Sequence, residues 1–142
     1  KGIGVMKYYH GSPQNLTVLK PQKGKGRNSF ENQIAVFLTK DFLHAALYAI
    51  GKTLKGKTPF AVSNKKLIIV GRLKPSSGYV YEVDVSGVIK GPNNQFAYKK
   101  EIKPTRKTKV HPKDYQKNII YVKDMKELMK TLNIVENYLK SL

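Results

Sequence analysis

The stretch from Ile34 to Gly51, "IAVFLTKDFLHAALYAIG", changes its hydrophobic pattern partway along, and that change decides the fold class. "IAVFLT" is a compact apolar run ending in a β-branched residue, the pattern of a buried strand. After Lys40 the apolar residues Phe42, Ala45, Ala46, Ala49 and Ile50 recur at helical spacing. Asp41 stands where a side-chain oxygen caps the first turn of a helix. A strand therefore runs directly into a capped helix that buries one face.

Strands lie on both sides of this unit. Val5 to Tyr9 reads as a short strand ending at "HGSP", and residues 11–33, rich in Gly, Lys, Pro and Asn, read as a long loop with one helical turn. Lys52 to Lys66 is a basic, glycine-bearing connection. "KLIIV" and "YVYEVDV" are strands separated by the turn cluster "KPSSG". The second alternates, with Val80, Glu82 and Asp84 on one face and Tyr79, Tyr81, Val83 and Val85 on the other. "SGVIKGPNNQ" reads as loop or edge structure. "EIKPTRKTKV" is extended, with Pro104 confining it to an edge or a bulge. "NIIYV" is the last strand. Asp124 and Glu127 form a capping-box-like start for a C-terminal helix. Its core stripe is Met125, Leu128, Met129, Leu132, Val135, Leu139 and Leu142. The order of elements predicts an α+β domain built on antiparallel sheet, occupying residues 1–142 as a single unit.

The composition supports a folded chain and points to its partners. A chain of this size buries roughly 70% of its unfolded surface. No apolar run approaches the ~20 residues of a membrane span. The N-terminal stretch lacks the basic-then-apolar layout of a signal peptide. With no cysteine, disulfides and thiolate metal sites are excluded. His10, His44 and His111 have no metal-ligand spacing, so no metal is expected. The cysteine-free composition fits a cytoplasmic protein, with export as a toxin the alternative. Lys and Arg number 27 against 9 Asp and Glu, a formal charge of +18. Such a surface attracts anions within a Debye length of about 8 Å. Sequence-specific DNA readers rely on Arg for bidentate base contacts, and this chain has only Arg27, Arg72 and Arg106.

"GKTLKGKT", Gly51 to Thr58, matches the phosphate-loop string G-x-x-x-x-G-K-[ST]. That motif requires a strand before it and a helix after it. Here a helical segment precedes the string, and Pro59 with a short polar stretch follows. The string reads as a basic surface loop.

Three further blocks, "YYHGS", "VFLTKDFLHAALYA" and "YKKEI", carry chemistry in a recognisable order. Together they resemble the ADP-ribosyltransferase fold family, in its branch with a His-Tyr-Glu signature, over roughly residues 5 to 110. The likeness is to the poly-ADP-ribosylating members and to small bacterial or phage domains of this type. The spacing of Phe37 and Tyr48 is similar to that of an aromatic at a strand end and a tyrosine one helix later in the poly-ADP-ribosylating members. The chain departs from the pattern at Phe37, where many relatives have Tyr, and at Ala45, where some have Ser.

The resemblance implies a mainly antiparallel split sheet and an NAD-dependent ADP-ribosyltransferase, with NAD as co-substrate. It implies that His10 hydrogen-bonds the ribose next to adenine, Gly11 offers backbone groups to the carboxamide, and Ser12 adds a polar contact. It implies that Tyr48 stacks on nicotinamide with Phe37 on the other face. Glu101, entering a late strand, would hold the nicotinamide-side ribose and stabilise the cation. The catalytic set is thus Glu101, His10 and Tyr48. The acceptor would be an acidic protein, a nucleic acid or a small molecule. A non-catalytic basic module that binds nucleic acid or nucleotides is the alternative, since binding polyanions gains nothing from a carboxylate at Glu101.

Overall fold

A computed structural model of the chain describes residues 6–24 and 29–141, and the side chains of the last helix as far as Asn133. In chain order the elements are β1 (Met6–Ser12), β2 (Gln22–Lys23), a 3-10 turn at Phe30–Asn32, β3 (Ile34–Thr39) and α1 (Phe42–Lys52). There follow β4 (Phe60–Ser63), β5 (Lys66–Val70), β6 (Gly78–Val85), β7 (Ile89–Lys90), β8 (Gln95–Tyr98) and β9 (Arg106–Val110). A 3-10 segment at Pro112–Asn118, β10 (Ile119–Val122) and α2 (Met125–Ser141) complete the chain.

The larger sheet has the order β7-β8-β3-β1-β6-β9, with β2 added to β3, and every pairing in it is antiparallel. A smaller sheet runs β10-β5-β4, in which β5 and β10 are parallel. The architecture is α+β with mostly antiparallel sheet and a C-terminal helix. Among the described residues no helix is long and apolar enough to cross a membrane.

The helix that follows β3 forms for the reasons its sequence gives. Asp41 has extended backbone angles and its Oδ1 accepts from the Leu43 N–H at 3.0 Å, which satisfies one orphan donor of the first turn. Ala45, Ala46, Leu47, Ala49 and Ile50 are buried, and they pack with Leu67, Ile69, Val80 and Val110. The other face of the larger sheet buries Tyr8, Leu19, Val36, Leu38, Tyr81, Val83, Phe96 and Ile102. The alternation read in β6 is therefore real, with Val80 toward α1 and Tyr81 and Val83 away from it. Ile68 of the smaller sheet meets Val122, Leu128 and Leu132 in a third cluster.

Several expectations change. β1 continues through His10, Gly11 and Ser12, all paired with β6, so "HGS" is strand and not turn; Val5 lies outside the described residues. β4 lies within the stretch read as a connection; β7, within the stretch read as loop or edge, is an edge strand, and β8, which the sequence pattern does not predict as a strand, begins at that stretch's last residue. In α2 only Leu128 and Leu132 of the described stripe are buried. Met125 and Met129 are 48% and 47% exposed, because the small sheet offers α2 a narrow contact centred on Ile68 and Val122. Leu142 and the side chains of Val135 and Leu139 lie outside what is described.

Candidate functional site

The larger sheet is open along one seam. β1 pairs with β6 along its whole length, but with β3 only through Tyr9 and Thr39. Past that pair the two strands have no register, and His10 sits at the opening. Strand alternation places His10 on the face of Tyr81, whose ring centroid is 6.4 Å away. Its Nδ1 reaches 2.7 Å from the Phe37 carbonyl on β3, spanning the seam. A carbonyl oxygen only accepts, so Nδ1 carries the proton, and a neutral ring leaves Nε2 as an acceptor. Burial lowers the His10 pKa below the usual imidazole value; the Phe37 carbonyl pulls it up, and the charge of Lys52 pushes it down.

On the opposite face α1 approaches β1 very closely. A Cβ on Gly11 would lie 2.1 Å from the Ala45 carbonyl oxygen and 3.1 Å from the Ala49 nitrogen. Tyr48 lies on the same helix, between Ala45 and Ala49 in sequence. The Tyr48 ring stays 37% exposed, and the Lys52 ammonium, one turn on, sits 5.4 Å from its centroid. Burial raises the Tyr48 pKa, and the negative charge of Glu31 raises it further. Burial lowers that of Lys52. Ser12 is buried and its Oγ accepts from the Gln14 N–H at 3.1 Å. The serine–histidine contact of the molecule lies elsewhere, between Ser77 Oγ and His111 Nδ1 at 2.9 Å.

Phe37, flanked by Val36 and Leu38 of the far-side cluster, points by alternation to the α1 side, as does Gln95 on β8. Phe30 meets Phe37 edge-on at 6.1 Å. A Cβ on Gly24 would fall 2.1 Å from the Glu31 carbonyl oxygen and 2.8 Å from the Phe37 ring, so the backbone at Gly24 lies close against both. Gln95 Nε2 donates to Glu31 Oε2 at 2.9 Å.

The structure thus brings His10 and the Phe37 backbone together across the seam, with the His10 ring on the Tyr81 face and Gly11, Phe37 and α1 on the other, and it adds Lys52, Glu31 and Gln95, which sequence reasoning missed. Lys52 was the most findable, four positions after Tyr48 on the same helix. Glu101 is exposed and lies between β8 and β9, next to Ile102, which bridges to Leu19. No contact among the described residues joins it to His10, Phe37 or Tyr48.

Two surface depressions lie away from the seam. One, of about 230 Å³, is lined by Lys74, Pro75, Pro112, Lys113 and Tyr121 among others. The other, of about 360 Å³, is formed by Gly56, Lys57, Thr58 and Pro59, within the phosphate-loop-like string. In that string the N–H groups of Lys55, Lys57 and Thr58 turn back to the carbonyls of Lys52 and Leu54, so they do not converge on an anion. At the seam the aromatic faces are covered by the molecule's own Phe30 and Lys52. The chain matches no protein-family model, no curated protein and no solved structure.

Proposed function

We propose that the seam between β1 and β3 binds NAD and that the protein is an NAD-dependent ADP-ribosyltransferase. The observation that carries this reading is the His10–Phe37 bridge across a seam that β1 and β3 otherwise pair only at Tyr9–Thr39, with α1, which carries Tyr48, packed on Gly11 of β1. The neutral Nε2 of His10 is an acceptor for a ribose hydroxyl. Phe37 and Tyr48 supply aromatic faces for the nicotinamide ring once Phe30 and Lys52 move aside, each ring contact contributing about 0.5–1.5 kcal/mol beyond area burial. Lys52 offers a cation to the dinucleotide phosphates. Gly11 and Ser12 line the β1 side, and Glu101 is the acid that the family resemblance implies.

In the reaction the bond from the ribose C1′ to the nicotinamide nitrogen breaks, and its electron pair leaves with neutral nicotinamide. An acceptor O–H or N–H group bonds to C1′ and releases its proton to solvent. The positive charge that builds on the ribose favours a nearby carboxylate.

Calorimetric titration of the protein with NAD tests the reading. Heat of association is expected, weakened about tenfold or more in His10→Ala and in Tyr48→Ala. A folded parent protein that gives no association with NAD overturns it.

A further inference from the structure

We propose that the hollow between Lys74, Lys113 and Tyr121 docks single-stranded nucleic acid, with one base stacked on the Tyr121 ring and the flanking phosphates meeting the two lysines. No residue of the seam takes part, so this site stands or falls independently of the NAD reading.

The walls of the hollow are fastened to one another. Lys74 lies in the turn that follows β5, Lys113 in the 3-10 segment and Tyr121 on β10. The Gly71 N–H donates to the Val122 carbonyl at 2.8 Å, which holds the start of the turn against β10. Ser77 Oγ meets His111 Nδ1 at 2.9 Å, one residue before the 3-10 segment begins. The Ser76 N–H donates to Thr53 Oγ1 at 2.9 Å, which anchors the same turn to the end of α1. The turn, the 3-10 segment and β10 are thus tied around one concavity, with buried Pro75 and half-buried Ile119 in its lining.

Strand alternation sends Ile120 and Val122 into the cluster that α2 covers and leaves Tyr121 on the other face of an outer strand, where it stays 40% exposed. The Lys74 ammonium sits 5.3 Å from the Tyr121 centroid, so charge and ring share one wall. Lys113 and Gln116 add a second cation and an amide. None of the described residues that line the hollow is acidic. Farther along the 3-10 segment the Lys66 ammonium donates to the Lys117 carbonyl at 3.3 Å, which brings two more cations together. By contrast, the hollow at Gly56–Pro59 offers one lysine and no ring.

A ligand that uses the whole of this surface carries both negative charge and an accessible π-face. Single strands are bound in this way: cations track the backbone while a ring takes a base of any identity. A duplex hides its base faces and could use only the charge. At about 230 Å³ the hollow is smaller than the roughly 300–1,000 Å³ of pockets that enclose a whole small ligand. It holds one planar group and leaves the rest of a chain outside, which suits a unit within a strand better than a free nucleotide.

Fluorescence anisotropy with a labelled DNA single strand of about ten nucleotides, its duplex form and adenosine monophosphate as competitor tests the site. Tyr121→Leu is expected to weaken the single strand about 5–150-fold at an unchanged salt slope, since the ring carries no charge. Tyr121→Phe is expected to keep the parent affinity. Lys74→Ala combined with Lys113→Ala is expected to make the slope of log K against log salt shallower by about 1.4, the share of two phosphates. Thermal melts verify that each variant folds. Parent-like single-strand affinity in Tyr121→Leu overturns the site, as does an equal loss on the duplex, because neither result needs a stacked base. A parent slope in the double lysine variant overturns it as well. Displacement of the strand by an equal concentration of adenosine monophosphate would make a free nucleotide the occupant and overturn the strand. No binding of the single strand by the parent protein ends the proposal and leaves NAD binding at the seam untouched.

Discussion

Protonating His10 would place a positive charge on a buried ring that already feels Lys52. Burial is the largest influence, the carbonyl of Phe37 opposes it, and Lys52 reinforces it, with a net shift below the ordinary value of about 6.5. The consequence for stability has a definite sign. The unfolded chain takes up this proton near pH 6.5 while the folded protein resists it. The His10 contribution to stability is therefore complete above that pH and declines as the pH falls below it, until the folded group also titrates. The consequence for binding runs the same way, because protonation turns Nε2 from acceptor to donor and adds a charge to the seam. In an NMR titration the His10 ring is expected to show a midpoint below 6.5, and Lys52→Met is expected to raise it. A midpoint at or above 6.5 in the parent would contradict the enclosed, Lys52-facing placement of the ring.

Gly11 sets the distance between α1 and the sheet, and no other residue fits there without displacing the helix. In Gly11→Ala the new carbon would press on backbone atoms of Ala45 and Ala49, which cannot rotate away as a side-chain tip would. A cost of about 1–3 kcal/mol is expected from overpacking, read as a lower denaturant midpoint at unchanged slope. NAD affinity should fall with it, since α1 carries Tyr48. A Gly11→Ala protein as stable as the parent would mean that the helix has slack here. This helix was legible in the sequence because its cap and its apolar stripe are both local. So was β6, whose alternation matches its two buried faces. β4 was hidden because the turn joining it to β5, Asn64–Lys65, has positive φ at both residues (46° and 61°), with Lys where a glycine normally announces such a hairpin. β8 was hidden because it is four residues long and is specified by its partner β3. The site divides the same way. His10, Phe37 and Tyr48 stand out through local patterns, whereas the Glu31–Gln95 pair exists only once β8 is placed beside β3. Met125 and Met129 had the periodicity of a core stripe, but a three-stranded sheet is too narrow to cover it.

The charge of +18 is spread over a molecule in which the Lys7 ammonium meets the Glu82 carboxylate at 3.4 Å. Some lysines rest on aromatic rings, such as Lys40 over Tyr8 and Phe96 and Lys74 over Tyr121, which uses the charge without neutralising it. Cations lie along the outer strand β9 and its approach, where Lys103, Arg106 and Lys109 are all exposed at the edge of the larger sheet, Arg106 and Lys109 on its two faces. Two physical roles compete for those cations. Charged side chains on an edge strand discourage pairing with another copy of the chain. Unneutralised cations on this strand also attract a polyanion such as nucleic acid. Salt dependence separates them. A single-stranded oligonucleotide whose binding neutralises about five phosphates should show a slope of about −3.5 in log K against log salt, so its affinity drops about a hundredfold from 50 to 200 mM. Replacing Lys103, Arg106 and Lys109 together by Ala should make that slope shallower by about 2 and leave NAD affinity unchanged, because none of the three reaches the seam. If the variant keeps the parent slope while losing solubility, β9 guards the sheet edge and the polyanion site lies elsewhere. If the slope falls as expected, β9 carries the polyanion site.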